Sequence, residues 1–196
     1  MAYVSMLSAN GIEHVSSTQI SKELSVDASQ IAKDLSFLNL KGKTRIGYEV
    51  AQLERELQDF LGFKEVHNAV IVGVGSLGAA LIQDSGLSRY GLNIVAGFDI
   101  NPKIAGTTLC GVPVLNIADL NNYCSRCKAE IGIVAVPVDQ AQEVADQMMA
   151  AGIKALWNFT PFRIKTGKGI VIQNTSIYSH LAVMYNRLDS QKHGEE

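Results

Sequence analysis

The chain carries a GxGxxG motif, formed by Gly73, Val74, Gly75, Ser76, Leu77 and Gly78. The motif directly follows the apolar run 69–72, which predicts a buried strand, and it begins a helical pattern. In that context the first glycine permits a tight turn, the second lets the backbone approach a pyrophosphate, and the third lets the helix pack close to the sheet. Backbone N–H groups from Ser76 onward would bind the phosphates at the positive end of the helix. The motif predicts a dinucleotide site, with a strand-to-helix turn that binds no ligand as the alternative.

Asp99 closes the next predicted strand, at the distance from the motif that the dinucleotide fingerprint requires. A carboxylate at that position accepts hydrogen bonds from the adenosine ribose and repels a 2′-phosphate, so NADH or NAD is the predicted cofactor. Two later strands end at the same carboxyl edge, where ligands bind in open α/β sheets. Their candidate cofactor-binding residues are Val136, Pro137, Asn158, Phe159, Thr160 and Pro161. Phe159 is either an apolar wall beside the nicotinamide or a core residue.

The stretch 29–48 is locally basic, although the whole chain has a formal net charge of -2. Against one acid, Asp34, it carries four cations suited to DNA phosphates, which are Lys33, Lys41, Lys43 and Arg45. In a helix-turn-helix the second helix enters the major groove with its early residues on base edges, so Ser29, Gln30 and Lys33 are the candidate base readers. Short capped helices with a few cations also occur in protein-binding modules, and that alternative stays open at this point.

Capping patterns predict a pair of short helices near the start of the chain. Ser16 with Gln19, and Asp27 with Gln30, predict helices over about 17–24 and 28–38, separated by a tight turn. Glycines at 42 and 47 then bracket a short hairpin, the wing, whose cations would follow the DNA backbone or enter the minor groove. A helix over 50–61 with one apolar side follows. Residues 1–65 are therefore predicted to form a winged-helix DNA-binding domain.

Beyond residue 66 the pattern changes to strands that alternate with helices. Strands are predicted over 69–73, 93–98, 131–136, 155–158 and 170–172, with helices notably over 76–83 and 139–151. This alternation implies a mostly parallel sheet with right-handed crossovers and helices on both faces. Residues 66–173 are therefore predicted to form an α/β, Rossmann-like, doubly wound domain.

The segment 174–196 is predicted to form a helix over about 175–188 and a tail. The helix has an apolar stripe, formed by Ile177, Leu181, Met184 and Leu188. The sheet domain is already complete without this helix, so another surface must cover the stripe. A second subunit is the natural candidate, and the sequence predicts a homodimer.

Composition excludes several classes of protein. With 196 residues, 47% hydrophobic and 18% charged, the chain is an ordinary globular protein. Its apolar runs are shorter than the roughly 18 residues that span a bilayer, and its first residues lack the pattern of a signal peptide, so we expect a cytoplasmic protein. The three cysteines do not form a disulfide framework, and the CxxC at Cys124 and Cys127 has no second Cys or His pair. No metal site and no catalytic group is predicted.

Several separate segments together are similar to one family. In the first part they are 15–17, 33–36 and 47–48; in the second they are 73–78, 98–99 with 102, 103 and 106, 111–114, 133–137 and 158–161. Over nearly its whole length the chain resembles the Rex family of redox-sensing repressors. The resemblance adds Lys103 to the cofactor-binding residues and Tyr48 to the DNA-binding residues. It implies operator DNA as partner, NADH as the signal that releases DNA, and a homodimer whose C-terminal helix swaps between subunits.

The chain departs from the usual family sequence at a few positions. Family members usually have an arginine where this chain has Ala32, and acidic residues where it has Ser176 and His180. The wing segment 38–45 also differs. These departures favour one alternative, a dinucleotide-binding paralogue with altered or lost DNA binding.

Two enzymatic alternatives are weaker. A dehydrogenase needs a second domain for substrate and for an acid or base, whereas the sheet here uses nearly all the residues beyond 66. An acyl-CoA ligase-type nucleotide module would lack the winged helix and would normally supply a catalytic histidine or a partner chain. The sequence therefore predicts a repressor and not an enzyme.

Overall fold

Contacts within the chain divide it into two units, Met1–Glu65 and the part that begins at Val66. The computed structural model describes residues 1–193, so positions 194–196 of the predicted C-terminal segment lie outside the described residues. Within residues 1–193, no helix combines the length and the apolar character that a bilayer crossing requires.

The first unit consists of helices and a small sheet around its own apolar core. The helices are α1 (Ala2–Ala9), α2 (Ser17–Leu24), α3 (Ala28–Leu35) and α4 (Val50–Phe60). Strands β1 (His14–Val15) and β2 (Tyr48–Glu49) pair antiparallel. The most deeply buried side chains of this unit include Val15, Val50 and Leu53. Helices α2 and α3 each bury one apolar face in this core and pack together as a helix-turn-helix.

Local hydrogen bonds decide where α2 and α3 begin and end. Ser16 Oγ accepts the Gln19 backbone N–H at 3.1 Å, and Gln19 Oε1 accepts the Ser16 N–H at 2.8 Å, the reciprocal capping box expected from the sequence. Helix α3 begins as predicted, but Asp27 caps it through the Ser29 N–H at 2.7 Å, without a capping box. The prediction that α3 continues to residue 38 was wrong. It ends at Leu35, where Ser36 Oγ donates to the Lys33 carbonyl at 2.6 Å.

The predicted wing forms a tight turn with one bridge instead of a hairpin of its own. The Lys43 N–H donates to the Gly47 carbonyl at 2.8 Å, and the Gly47 N–H returns to the Lys43 carbonyl at 2.9 Å. The strand that follows this turn, β2, pairs with β1, which precedes the helix-turn-helix. The turn is therefore anchored by residues from outside the segment 43–47.

The second unit alternates strands and helices around one sheet. The strands are β3 (His67–Val72), β4 (Leu92–Asp99), β5 (Thr108–Leu109), β6 (Val112–Asn116), β7 (Ile131–Val134), β8 (Ala155–Asn158) and β9 (Val171–Asn174). The helices are α5 (Ser76–Gln83), α6 (Ser85–Arg89), α7 (Leu120–Cys127), α8 (Ala141–Ala150) and α9 (Ile177–His193). The prediction that the third long strand reaches residue 136 was wrong, because β7 ends at Val134.

The order of the strands places a ligand-binding crevice between β3 and β7. The sheet order is β5-β6-β4-β3-β7-β8-β9, and apart from the short edge strand β5 all neighbours are parallel. From β3 the chain builds outward first through β4 and β6 and then through β7, β8 and β9. The reversal at β3 and β7 is the topological switch point of a doubly wound sheet, where cofactors bind beyond the carboxyl ends of the strands.

Helix α9 leaves its apolar side chains uncovered within the chain. The predicted stripe residues Ile177, Leu181, Met184 and Leu188 are 59%, 37%, 49% and 47% exposed. Tyr178, Val183 and Tyr185 are exposed beside them. Apolar exposure of this extent on one helix is typical of a surface that another chain covers.

Candidate functional site

The glycine-rich loop between β3 and α5 has two positions where a side chain cannot fit. Gly73 has a φ of +94°, and a Cβ there would lie 2.4 Å from the Ala135 carbonyl oxygen. A Cβ on Gly78 would lie 1.9 Å from the Gly73 carbonyl oxygen, so the helix contacts the loop backbone directly. At Gly75, in contrast, nothing lies within 4 Å of the Cβ position. The loop is thus held tightly on the protein side and is open at Gly75, as backbone approach by a phosphate requires.

The Asp99 carboxylate is fixed beside this loop. Its Oδ2 accepts the Val74 backbone N–H at 2.8 Å, and its Oδ1 accepts the Asn101 N–H at 2.8 Å. A carboxylate offers about four lone-pair sites, so each oxygen can still accept a further hydrogen bond. Lys103 follows on the same loop, where its backbone N–H donates to Asn101 Oδ1 at 3.0 Å and its side chain is exposed. The arrangement can hold vicinal hydroxyls beside the glycine-rich loop.

A cavity of about 190 Å³ opens at the switch point, between the ends of β3, β4 and β7. Gly73, Asp99, Val136 and Pro137, all predicted from the sequence, line it. Sequence reasoning missed several further lining residues, which are Ile100, Ile117, Gln140 and Val144. Ile100 was predictable as the neighbour of Asp99, whereas Gln140 lies in a short 3-10 turn that has no motif of its own.

The residues after β8 form a loop that is held by one buried amide. Asn158 is completely buried, and its Oδ1 accepts from the Thr160 N–H at 2.9 Å and from Thr160 Oγ1 at 2.8 Å. Its Nδ2 donates to the Phe162 carbonyl at 2.7 Å and to Asn174 Oδ1 at 2.9 Å. These bonds occupy both ends of the amide, so the side chain of Asn158 shapes the loop.

Phe159, Thr160 and Pro161 differ in exposure. The Phe159 ring is half-buried and lies 4.7 Å, centroid to centroid, from Trp157. Thr160 is buried, and Pro161 is exposed. Trp157, which directly precedes Asn158, is half-buried at the same end of the sheet. Across the carboxyl edge of the sheet, the candidate cofactor-binding segments follow in the order Asp99, the glycine-rich loop, Val136–Pro137 and residues 159–162. The last segment is called the Phe159 loop below. An extended dinucleotide with its adenosine at Asp99 fits this order.

In the first unit the candidate base readers are exposed on α3 and bonded to their own helix. Ser29 Oγ donates to Asp27 Oδ1 at 2.5 Å, and Gln30 Nε2 donates to Asp34 Oδ1 at 2.6 Å. The Ser29 hydrogen bonds lower the pKa of Asp27, because they stabilise its ionised form. Lys33 is exposed on the same helix. Gln30 must exchange its bond to Asp34 for any bidentate contact with a base.

The other predicted DNA-binding residues divide into exposed cations and one packed aromatic. Lys41, Lys43 and Arg45 are exposed, and none of the ion pairs within the described residues involves them. Tyr48 is half-buried against the core of the first unit, and a Cβ on Gly42 would lie 3.1 Å from its ring. Tyr48 therefore helps to position the wing and also contributes to the surface of this unit.

Within the CxxC, Cys124 is protected from reaction. Cys124 is buried, and burial raises the pKa of its thiol to about 11, so it is protonated near neutral pH. Among the described residues no group of three or more His, Cys, Asp or Glu side chains is arranged to hold a metal ion.

Two family models match the chain, one in each unit. A model described as CoA binding domain matches residues 64–162, and one described as putative DNA-binding protein N-terminus matches residues 1–36. The protein "Redox-sensing transcriptional repressor Rex" of Bacteroides fragilis is 55% identical over 189 residues, which are 96% of this chain and 86% of the relative. The protein of the same name from Porphyromonas gingivalis is 54% identical over 190 residues, 97% of this chain and 87% of the relative.

Solved structures show the same similarity over both units. The Rex-family repressor RSP in complex with β-NAD+ and operator DNA matches with a TM-score of 0.89 at 32% identity, over 99% of this chain and 89% of that chain. RSP in complex with β-NADH matches with a TM-score of 0.89 at 33% identity, over 99% and 91% of the two chains. The predicted resemblance and the predicted fold class are thereby confirmed. This chain belongs to the Rex family of redox-sensing transcriptional repressors.

Proposed function

We propose that this chain is a cytoplasmic repressor that binds operator DNA as a homodimer and leaves it when NADH binds. In this proposal residues 1–65 bind DNA, residues 66–173 bind NADH or NAD, and segment 174–196 joins two subunits. The observation that carries the proposal is the Asp99 carboxylate, which Val74 and Asn101 hold beside the glycine-rich loop. It supports NADH over NADPH, since a 2′-phosphate would meet a fixed negative charge.

The cofactor residues divide by what each contributes. Gly73 to Gly78 would present backbone N–H groups to the pyrophosphate, and Asp99 would accept from the adenosine ribose. Val136, Pro137 and Phe159 would bound the nicotinamide with apolar surface. Bound NADH carries the redox signal, and the protein supplies only binding and orientation.

On DNA, α3 would supply sequence readout and the wing would supply charge. Ser29, Gln30 and Lys33 are exposed on the early turns of α3, where a recognition helix contacts base edges. Lys41, Lys43 and Arg45 would neutralise phosphates.

The switch requires two arrangements of the dimer with different affinities for NADH. A ligand that binds both arrangements equally shifts nothing, so NADH must favour the arrangement that binds DNA poorly. Repression then falls as NADH rises. This linkage is reciprocal, so operator DNA must weaken NADH binding by the same factor.

A mobility-shift titration tests the proposal. A duplex from the promoter region of the chain's own gene is titrated with the full chain, without nucleotide and with NADH, NAD or NADPH. We expect binding without NADH, release by NADH, and no release by NADPH at the same concentration. Unchanged DNA affinity while NADH saturates the protein would contradict the sensor and leave only a dinucleotide-binding protein that associates with DNA.

The dimer is tested by removing the exposed helix. Truncation after Ser176 deletes α9 with its apolar side chains and keeps Asn174 and Thr175, which bond to Asn158. We expect monomers or aggregates where the full chain is a dimer, measured by light scattering after size exclusion. A soluble and stable dimer of the truncated chain would contradict a dimer formed through α9.

A further inference from the structure

Two neighbouring residues on β8 connect the end of the sheet to the beginning of α9. Trp157 Nε1–H donates to Thr175 Oγ1 at 2.9 Å, and Asn158 Nδ2 donates to Asn174 Oδ1 at 2.9 Å. The Thr175 backbone N–H donates to the Asn158 carbonyl at 2.8 Å. Helix α9 begins two residues later, at Ile177. Hydrogen bonds from β8 therefore hold the chain up to the second residue before α9.

The same two residues hold the loop that follows β8. Asn158 binds Thr160 through its Oδ1 and the Phe162 carbonyl through its Nδ2. Trp157 packs on Phe159 with an angle of 43° between the ring planes. Each residue thus contacts the loop on one side and the entry to α9 on the other.

Burial makes this connection stiff. Asn158 is 0% exposed, so water cannot replace a bond that its amide loses. An unpaired buried polar group costs more than the net gain of a typical hydrogen bond, so the partners of Asn158 must move together or not at all. A displacement of the Phe159 loop would therefore strain the bonds to Asn174 and Thr175.

We propose that Trp157 and Asn158 are positioning residues that couple the Phe159 loop to the first turn of α9, so that nucleotide occupancy reaches the dimer helix. The inference rests on the proposed function, because it assigns how the same site acts on DNA affinity. In the proposed dimer, α9 joins the subunits, and its entry angle sets the arrangement that DNA requires.

The bond from Trp157 to Thr175 allows the sharpest test, since neither partner belongs to the glycine-rich loop. Thr175→Val removes the acceptor with almost no change of volume, and Trp157→Phe removes the donor but keeps an aromatic ring on Phe159. Thr108→Val is the matched control, because Thr108 lies on β5, at the opposite edge of the sheet from β9. For each full-length variant, two quantities are measured: the Kd for NADH, and the coupling factor. The coupling factor is the Kd for the promoter duplex at saturating NADH divided by the Kd without it.

We expect both test variants to keep an NADH Kd within about threefold of the unmodified chain, while the coupling factor falls by about fivefold or more. The double variant should fall no further than either single one, because both remove the same bond. Trp157 is the single tryptophan of the chain, so its emission should also shift in Thr175→Val without nucleotide and stay unchanged in Thr108→Val.

Two results would overturn the inference. One is a coupling factor in both test variants equal to that of Thr108→Val. The other is a loss of NADH affinity with an unchanged coupling factor, which is the result expected of residues that only shape the pocket. Absence of any NADH effect in the unmodified chain would instead contradict the proposed function itself.

Discussion

The two units differ in what holds their candidate ligand-binding residues. In the second unit the site is made by the backbone and by buried or half-buried groups, as at Gly78, Asp99 and Asn158. In the first unit the candidate readers are exposed side chains that bond only to their own helix, as Ser29 bonds to Asp27 and Gln30 to Asp34. Substitution of such residues in the second unit must therefore disturb the fold or the site, whereas a change at an exposed residue of α3 can alter specificity and leave the fold intact.

This difference bears on Ala32, one of the positions where the family resemblance implies another residue. Ala32 is exposed on α3 and lies outside the core of the first unit, so a substitution there does not affect packing. The glycine-rich loop has no such freedom, because Gly73 and Gly78 leave no room for a Cβ. Operator preference can thus change between relatives while the nucleotide site stays the same.

The largest expected effect separates two glycines of one motif. Gly78→Ala places a Cβ 1.9 Å from the Gly73 carbonyl oxygen, and backbone cannot move aside cheaply. We expect a loss of about 3 kcal/mol or more in the free energy of unfolding, measured by urea denaturation. Gly75→Ala is the matched variant, because its Cβ meets nothing within 4 Å. It should unfold like the unmodified chain and bind NADH more weakly. Equal stability of both variants would contradict this description of the loop.

The next effect concerns Asp99. Asp99→Ala removes the acceptor for the ribose hydroxyls and frees the Val74 N–H, so NADH binding should weaken by about 1 to 3 kcal/mol. NADPH binding should change much less, because the substitution removes the repulsion between Asp99 and the 2′-phosphate together with the hydrogen bonds to the ribose. Fluorescence titration with both nucleotides measures the two affinities, and Asp119→Ala is a control on an exposed acid that lies outside the cavity lining. Tighter binding of NADPH than NADH by the unmodified chain would show that Asp99 does not select the cofactor.

Local chemistry made much of the fold predictable. The capping box at Ser16 and the glycine-rich loop mark helix starts, and both helices have the predicted bounds. Ser16 and Gln19 cap α2, whereas α5 begins directly after Gly75 without a side-chain cap. Strand β8 also has its predicted bounds. The end of α3 was missed, because after Leu35 the backbone changes to i→i−3 hydrogen bonds while the apolar pattern continues to the buried Leu38.

The rest depends on contacts between distant segments. Strands β5 and β6 are short and joined at Cys110 and Gly111, so they lack the long apolar run that identifies β3. The bond from Trp157 to Thr175 exists because β8 and β9 pair in one register, with Trp157 opposite Gln173. A sequence pattern indicates that two strands exist but not which residues they bring together. The connection between the Phe159 loop and α9 was therefore visible only in the structure.

The smallest expected effect lies on the wing and distinguishes charge from readout. Lys43→Ala removes an exposed cation that would contact phosphate, so DNA affinity should fall by roughly fivefold near physiological salt, equally for every sequence. The slope of log Kd against log salt should flatten by about 0.9.

Lys33→Ala, on α3, should also reduce the difference in affinity between operator and unrelated duplexes, because Lys33 would contact base edges. Lys64→Ala serves as the control, since Lys64 is already paired with Asp59 at 2.5 Å and neutralises less phosphate charge. Fluorescence anisotropy over a range of salt concentrations measures all three variants. If Lys43→Ala changed the preference between sequences as Lys33→Ala does, the wing would read bases. The proposal that α3 contacts base edges and the wing contacts only phosphates would then be wrong.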